Sequence, residues 1–219
     1  MSTTIKGQDG KSRCRWASAA PEFIDYHDRE WGYPVDDDIR LFEKICLEGF
    51  QSGLSWRTIL AKRENFRAAF LGFDFKKVAE FTEQDVERLL QDEGIVRHRG
   101  KIEATINNAQ CAKKMVAEAG SLAAFLWSYE PDPKELAKPQ TLSVSDTSKA
   151  LSKALKKMGW KFVGPTTVYA FMQAMGLIND HAEECVYRSE AQKARDEFKN
   201  PAQRPNHAEY LTSVIFADN

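Results

Sequence analysis

The stretch "ALKKMGWKFVGPTTVYAFMQAM", Ala154 to Met175, decides the reading of the fold. Residues 147–158 (TSKALSKALKKM) set Leu151, Ala154, Leu155 and Met158 on one face of a helix, and Gly159 stops it. Pro165 then stands at the first position of a second helix, where its missing N–H costs nothing, and that helix runs on to Gly176. The result is two amphipathic helices joined by GWKFVG. A less regular version of the arrangement surrounds GIVRHRG, Gly94 to Gly100.

Outward from there the chain reads as helical almost throughout, with few alternating runs. Residues 36–48 open with three acids suited to a helix N-terminus, carry Ile39, Phe42, Ile45 and Cys46 on one face, and stop at Gly49. Residues 55–71 continue helically through Ile59, Leu60, Phe66 and Phe70. Thr82 and Asp85 make a variant capping box for a helix that Gly94 ends. A long helix over about 101–119 carries Ile102, Ile106 and Ala109 in one stripe and stops at Gly120. Ser121 caps a short segment with Phe125, Leu126 and Trp127, and residues 130–141, with three prolines, read as a loop. These elements predict an all-α fold. Residues 1–12 are expected to be a flexible lead-in and 13–187 one domain. Residues 188–219 read as an extension of unassigned role, ending in an apolar YLTSVIF that docks on the body or on a neighbour.

A hydrophobic share of 42% in 219 residues supports a sizeable core. The formal net charge is −1, so bulk charge neither attracts nor repels nucleic acid, and such a partner needs a local basic face. The N-terminal MSTTIKGQDGKSRCRW lacks the apolar core of a signal peptide, and no segment is long enough to span a bilayer. The expectation is a soluble, cytoplasmic protein. Four widely spaced cysteines do not make a disulfide scaffold. Cys46 and Cys111 fall within helices and read as core, while His98 and His207 read as surface.

The GWKFVG turn resembles the helix-hairpin-helix element of DNA-binding proteins. Its glycines, Gly164 among them, let a turn approach a phosphate and expose backbone N–H donors. Lys153, Lys156, Lys157 and Lys161 supply local positive charge. Two helices joined by a tight turn without any ligand is the alternative, and the local pattern leaves both open.

In NDHAEEC, Asn179 to Cys185, a histidine and a cysteine four residues apart share one face of what reads as a short helix, with Asp180 and Glu183 placed to cap it. His181 and Cys185 are either ordinary buried side chains or half of a metal site. Cys14 and His27 in the N-terminal segment are a second such pair. Together the four make a Cys2His2 set, the usual composition of a closed structural zinc site. Glu48, after an apolar face and before Gly49, Gly53 and Trp56, is either a helix-end acid in water or an acceptor facing the N–H groups of a ligand. Trp16, Tyr26, Trp31 and Trp56 are either core or stacking surfaces for a flat ligand.

Four segments then act together: RCRWASAAPEFIDYHDREWG, FEKICLEGFQSGLSWRTILAKRENFRAAF, GIVRHRGKIEATINNA and ALKKMGWKFVGPTTVYAFMQAMGLINDH. In this order, over roughly residues 13–187, they resemble the DNA-3-methyladenine glycosylase I family, a zinc-containing branch of the helix-hairpin-helix DNA glycosylases. The resemblance implies that Cys14, His27, His181 and Cys185 hold one structural zinc ion. It implies that Glu48, Tyr26, Trp16, Trp31, Trp56 and Phe23 line a base pocket, with Glu48 central to catalysis. Gly53 and Leu54 match the segment that fills the gap left in the duplex, and Lys161 and Gly164 the hairpin that meets DNA. The implied activity is base-excision repair. A monomer, with no membrane partner, flips 3-methyladenine out of alkylated duplex DNA, hydrolyses the N-glycosidic bond, and leaves an abasic site and the free base.

Two departures stand out. Phe23 replaces a tyrosine frequent in the family, and Phe50 replaces a more polar residue, with an expected effect on DNA contact. Asp180 lies near where the wider superfamily carries a catalytic aspartate, but it fits a capping or ligand-supporting role better. The rival reading is a non-catalytic, zinc-stabilised helix-hairpin-helix DNA-binding module. A zinc hydrolase is disfavoured because four protein ligands leave no open position on the metal.

Overall fold

In a computed structural model that describes residues 2–203, the helical periodicity of the chain becomes eleven α-helices. His207 and YLTSVIF lie outside the described residues. The all-α expectation holds apart from one small hairpin, in which β1 (Thr4–Lys6) pairs antiparallel with β2 (Ser12–Cys14) and Ile5 faces Arg13. The lead-in expected to be flexible therefore contains a strand. It is tied down at both ends: the Thr4 hydroxyl donates to Glu184 at 3.0 Å, and Lys11 Nζ donates to the Tyr187 hydroxyl at 3.2 Å.

After α1 (Glu22–Arg29), α2 (Asp38–Gln51) runs through the centre of the molecule. Asp37 caps it, accepting from the Arg40 N–H at 2.8 Å. Its apolar face begins at Leu41 and includes Phe42, Ile45, Cys46, Leu47 and Phe50, all buried, whereas Ile39 is exposed. Gly49 does not stop this helix. A Cβ there would meet Phe162 Cβ at 3.3 Å, so the glycine serves the close approach of another element. The following helical stretch splits at Lys62 (φ −99°, ψ 2°) into α3 (Trp56–Ala61) and α4 (Arg63–Ala69).

Next come α5 (Phe75–Val78) and α6 (Glu83–Gln91). The Thr82–Asp85 capping box forms, with the Thr82 N–H donating to Asp85 at 2.9 Å, but α6 ends at Gln91 and not at Gly94. The helix α7 (Arg99–Ala119) is capped by His98, which is exposed as expected and whose Nδ1 accepts from the Lys101 N–H. Gly120, at φ 78°, closes it. Ser121 caps α8 (Leu122–Trp127), accepting from the Ala124 N–H at 3.3 Å.

The deciding stretch folds as its spacing predicts, into α9 (Asp146–Lys157) and α10 (Pro165–Ala174) with Pro165 at the first helical position. Gly159 at φ 88° makes the turn possible; Gly164, at φ −63°, is extended and is not required by conformation. The turn is held from α7. Asn108 pairs with the Lys161 backbone in both directions, at 2.8 and 2.9 Å, and Asn107 donates to the Gly159 carbonyl at 2.8 Å.

The core gathers Phe42, Phe66, Phe70, Phe73, Phe125, Trp127 and Phe171, each essentially inaccessible. Burial of such a side chain contributes about 1.5–3 kcal/mol. Cys46 belongs to this core, whereas Cys111 is only partly buried. The extension begins with α11 (Tyr187–Glu197), which returns to α8 through Arg195 on Glu130 at 2.7 Å and Phe198 against Trp127, ring centres 4.4 Å apart. Among the described residues no helix is long and apolar enough to cross a membrane.

Candidate active site and metal centre

Beside α2 lies a cavity of about 290 Å³. Trp16, Phe23, Tyr26, Trp31, Glu48 and Trp56 all line it, so the six residues that the resemblance assigns to a base pocket converge on one space. They arrive from the segment after β2, from α1 and its exit, from α2 and from α3. Trp16 makes edge contacts with Trp31 (ring centres 5.0 Å apart) and Phe23 (5.9 Å), and Tyr26 tilts over Trp56 at 5.4 Å. Such edge and tilted pairs hold the walls apart and leave ring faces for a flat guest. A larger depression of about 490 Å³, bounded by Leu136, Leu142 and Tyr169, contains none of the expected site residues.

Glu48 is 6% exposed, so it is not a helix-end acid in water. One turn earlier in α2, Lys44 is equally buried, with Nζ 2.6 Å from Glu48 Oε1 and donating to the Tyr26 hydroxyl at 2.8 Å. Burial pulls the Lys44 ammonium below the usual lysine range, and Glu48 opposes that shift. Behind this pair, Arg63 and Glu30 form a two-pronged ion pair at 2.6 and 2.9 Å.

The cavity opens onto a second depression of about 310 Å³ that shares Glu48, Gln51 and Ala170 with it and passes Ser52, Gly53 and Leu54 to Thr166 and Thr167 at the start of α10. Gly53 sits at φ 77° and Leu54 is 43% exposed. Lys161, Lys153, Lys156 and Lys157 present exposed side chains on and before the hairpin, and Gly164 is the N-cap residue of α10. Lys101 Nζ donates to the carbonyls of Phe50 and Ser52 at 2.8 and 2.6 Å, pinning the C-terminal end of α2 just before Leu54.

On the other side of the aromatic wall, one ligand atom from each of Cys14, His27 and Cys185 lies within 4.8 Å of the others, all three residues buried. His27 Nε2 is 3.6 Å from Cys185 Sγ. Two ligands of one tetrahedral zinc ion, at about 2.3 Å for sulfur and 2.0 Å for nitrogen, stand about 3.6 Å apart. His27 Nδ1 is held by Asp28 at 2.8 Å, and Asp28 by Arg13, the carboxylate support that orients a ligating imidazole. Cys14 Sγ accepts from the Ala182 N–H at 3.2 Å, and the proximity of the Cys14 thiol and of His27 pulls Cys185 below the usual thiol range. The thiolate is the form in which a cysteine binds metal.

His181 stands outside that compact trio but beside it, its ring centre 5.0 Å from that of His27. Its Nδ1 faces Asn179 at 3.1 Å, and its Nε2 is buried with no hydrogen-bond partner among the described residues. Burial first, then His27, draws it down to about 4, which keeps the imidazole neutral. The donor set fits a metal ion. The NDHAEEC stretch is not a helix, however: residues 179–186 form bends and turns, and α11 starts only at Tyr187. Asp180 therefore caps nothing. Its carboxylate accepts from the Gln140 N–H at 3.0 Å and from Gln173 Nε2 at 2.6 Å, which holds two glutamines on the cavity wall. Side chains hold the stretch in this form: Arg188 donates to the carbonyls of Asn179 and His181 at 3.0 and 2.6 Å, and the chain enters it by a turn at Gly176 (φ 74°), where a Cβ would meet the Tyr33–Pro34 backbone at 2.5 Å.

With this geometry in place, the chain can be set against known proteins. Residues 16–189 match the methyladenine glycosylase family. The chain belongs to that family. It is 54% identical over 177 residues to DNA-3-methyladenine glycosylase 1 of Escherichia coli (strain K12), covering 79% of this chain and 95% of that one. It is 48% identical over 180 residues to DNA-3-methyladenine glycosylase of Haemophilus influenzae, covering 80% and 96%. The solved structure of 3-methyladenine DNA glycosylase I from Staphylococcus aureus, studied for the basis of 3-methyladenine recognition, superposes with a TM-score of 0.76 at 42% identity, covering 80% of this chain and 96% of that one.

Within the family frame, Phe50 needs a correction. It is 1% exposed and packs on Phe66 at 4.7 Å and Phe70 at 5.9 Å, so it serves the core and does not reach a DNA surface. Helix α2 turns Phe50 inward where the expectation had it beside the duplex. Sequence reading also missed Lys44, Gln140 and Gln173. The i, i+4 spacing of Lys44 and Glu48 was a usable signal; Gln140 comes from an unpatterned loop and gave none.

Proposed function

We propose that the cavity takes up the alkylated base extruded from duplex DNA. The protein acts as a DNA-3-methyladenine glycosylase, hydrolysing the bond between base and sugar in the repair of alkylation damage. The observation that supports this best is the convergence of Glu48 and five aromatic side chains on one cavity that opens beside Leu54 and the start of α10. On this reading Leu54 enters the gap left in the duplex, and Lys161 with Gly164 meets the phosphates. Extruding a nucleotide costs a few kcal/mol, less for a lesion.

Alkylation at N3 makes the purine cationic and weakens its glycosidic bond. Glu48 accepts hydrogen bonds from the edge of the base, and each free indole face adds about 0.5–2 kcal/mol of cation–π attraction. The bond breaks with its electron pair on the base, water attacks the sugar carbon, and an abasic site remains. No strong general acid is needed, because the base already carries the charge. Cys14, His27, Cys185 and His181 would hold one zinc ion, whose contribution is structural. Trp16 and Trp31, which touch His27 and His181, would then be positioned by that centre. The protein works as a cytoplasmic monomer on this reading.

The decisive assay incubates the protein with methylated duplex DNA and measures free 3-methyladenine. Release at many times the spontaneous rate is expected, and binding without release would mark a non-catalytic DNA-binding module. Lys161→Glu is expected to weaken binding to all duplex sequences alike and to lower the salt slope of log K by about 1 or more. An unchanged slope would remove Lys161 from the interface.

A further inference from the structure

Helix α2 buries a lysine directly behind the wall of the cavity. Lys44 Nζ is 2.6 Å from Glu48 Oε1 and 2.8 Å from the Tyr26 hydroxyl, and it lies 3.4 Å from the centre of the Trp56 ring. One cation thus touches three of the residues that line the pocket. The other charges nearby are matched among themselves, three arginines with three glutamates: Arg63 with Glu30, Arg40 with Glu30 and Glu43, and Arg67 with Glu43 and Glu64. Lys44 and Glu48 are left to neutralise each other. The fold does not ask for this charge, since an unbranched apolar side chain would fill the same space without a desolvation penalty.

We propose that Lys44 is a positioning and specificity-determining residue of the base pocket, whose ammonium holds the Glu48 carboxylate and offsets its charge so that the pocket does not hold the cationic bound base more tightly than the neutral departing one. The proposal rests on the base-pocket reading above. The bound 3-methylpurine carries a positive charge. When the glycosidic bond breaks, the bonding pair stays on the base, which leaves neutral, and the charge passes to the sugar carbon. Water then bonds to that carbon and gives up its proton. A lone carboxylate beside the base would hold the charge where it starts and stabilise the bound state more than the transition state. The Lys44 ammonium offsets that hold, and it also engages the Trp56 ring that would otherwise attract the cation.

The test compares two probes by quenching of tryptophan fluorescence: neutral 3-methyladenine, and 3,9-dimethyladeninium, a cationic mimic of the alkylated nucleoside. Wild-type protein is expected to bind them within about threefold of each other, and Lys44→Met to shift the preference toward the cation about tenfold. Lys44→Arg, which keeps the charge, should retain the wild-type ratio. In turnover of methylated DNA, Lys44→Met should lower KM and kcat together, a split that simple loss of folding does not produce. An unchanged ratio in a folded Lys44→Met protein overturns the proposal. If that variant fails to fold, a clear preference of the wild type for the cation overturns it, and near-equal binding upholds it. Failure of the wild type to bind either probe would instead remove the base-pocket reading, and this proposal with it.

Discussion

Glu48→Gln is expected to lower release of 3-methyladenine from methylated duplex DNA by about tenfold to a hundredfold, the worth of a hydrogen bond to a charged group. The carboxylate is buried on the cavity wall and fixed by its ion pair with Lys44, so it meets a guest without having to be reorganised. Glutamine keeps the shape and one acceptor oxygen but loses the charge. Alanine adds a second penalty. It strands the Lys44 ammonium in a buried site, where breaking one half of an ion pair costs about 3–5 kcal/mol. Glu48→Ala should therefore lose stability as well as activity, and Glu48→Gln mostly activity. Thermal melts followed by circular dichroism, run beside base-release rates, separate the two. Normal activity per folded molecule in Glu48→Gln would make Glu48 a structural residue.

The second large effect concerns the metal. Elemental analysis is expected to find about one equivalent of zinc per chain, and Cys14→Ser or Cys185→Ser should abolish it. The accompanying loss of stability should reach several kcal/mol, against on the order of 10 kcal/mol in small units that depend on zinc to fold. The difference follows from the phenylalanine core, which buries most of its apolar side chains away from the cluster. What a metal would secure is local: Cys14 lies at the end of β2, and Cys185 lies between Asp180 and α11. Unpinning them should slacken Trp16 and Trp31, so affinity for 3-methyladenine should fall before the helical signal does. Metal-free protein with unchanged stability and base affinity would remove the Cys2His2 proposal.

Much of the architecture was legible in local chemistry. Pro165, Gly159, Gly120, Ser121 and the Thr82–Asp85 pair marked helix ends correctly because caps and turns act within a few residues of themselves. Gly49 and NDHAEEC misled for the opposite reason. The glycine answers to Phe162, more than a hundred residues away, and the turn at Gly176 that leads into NDHAEEC answers to the backbone of Tyr33 and Pro34. Both constraints are long-range, and a stop signal and a close-approach glycine look alike in one dimension.

The candidate site divides along the same line. The sequence by itself determined the helical class, the hairpin and the residue types that a cationic purine or a zinc ion would need. Only the tertiary structure decided that Glu48 is buried with Lys44, that Asp180 holds Gln140 and Gln173 instead of capping a helix, and that Phe50 faces the core. The reason is physical: capping and periodicity are written in neighbouring residues, whereas burial and charge pairing depend on which distant surfaces the core draws together.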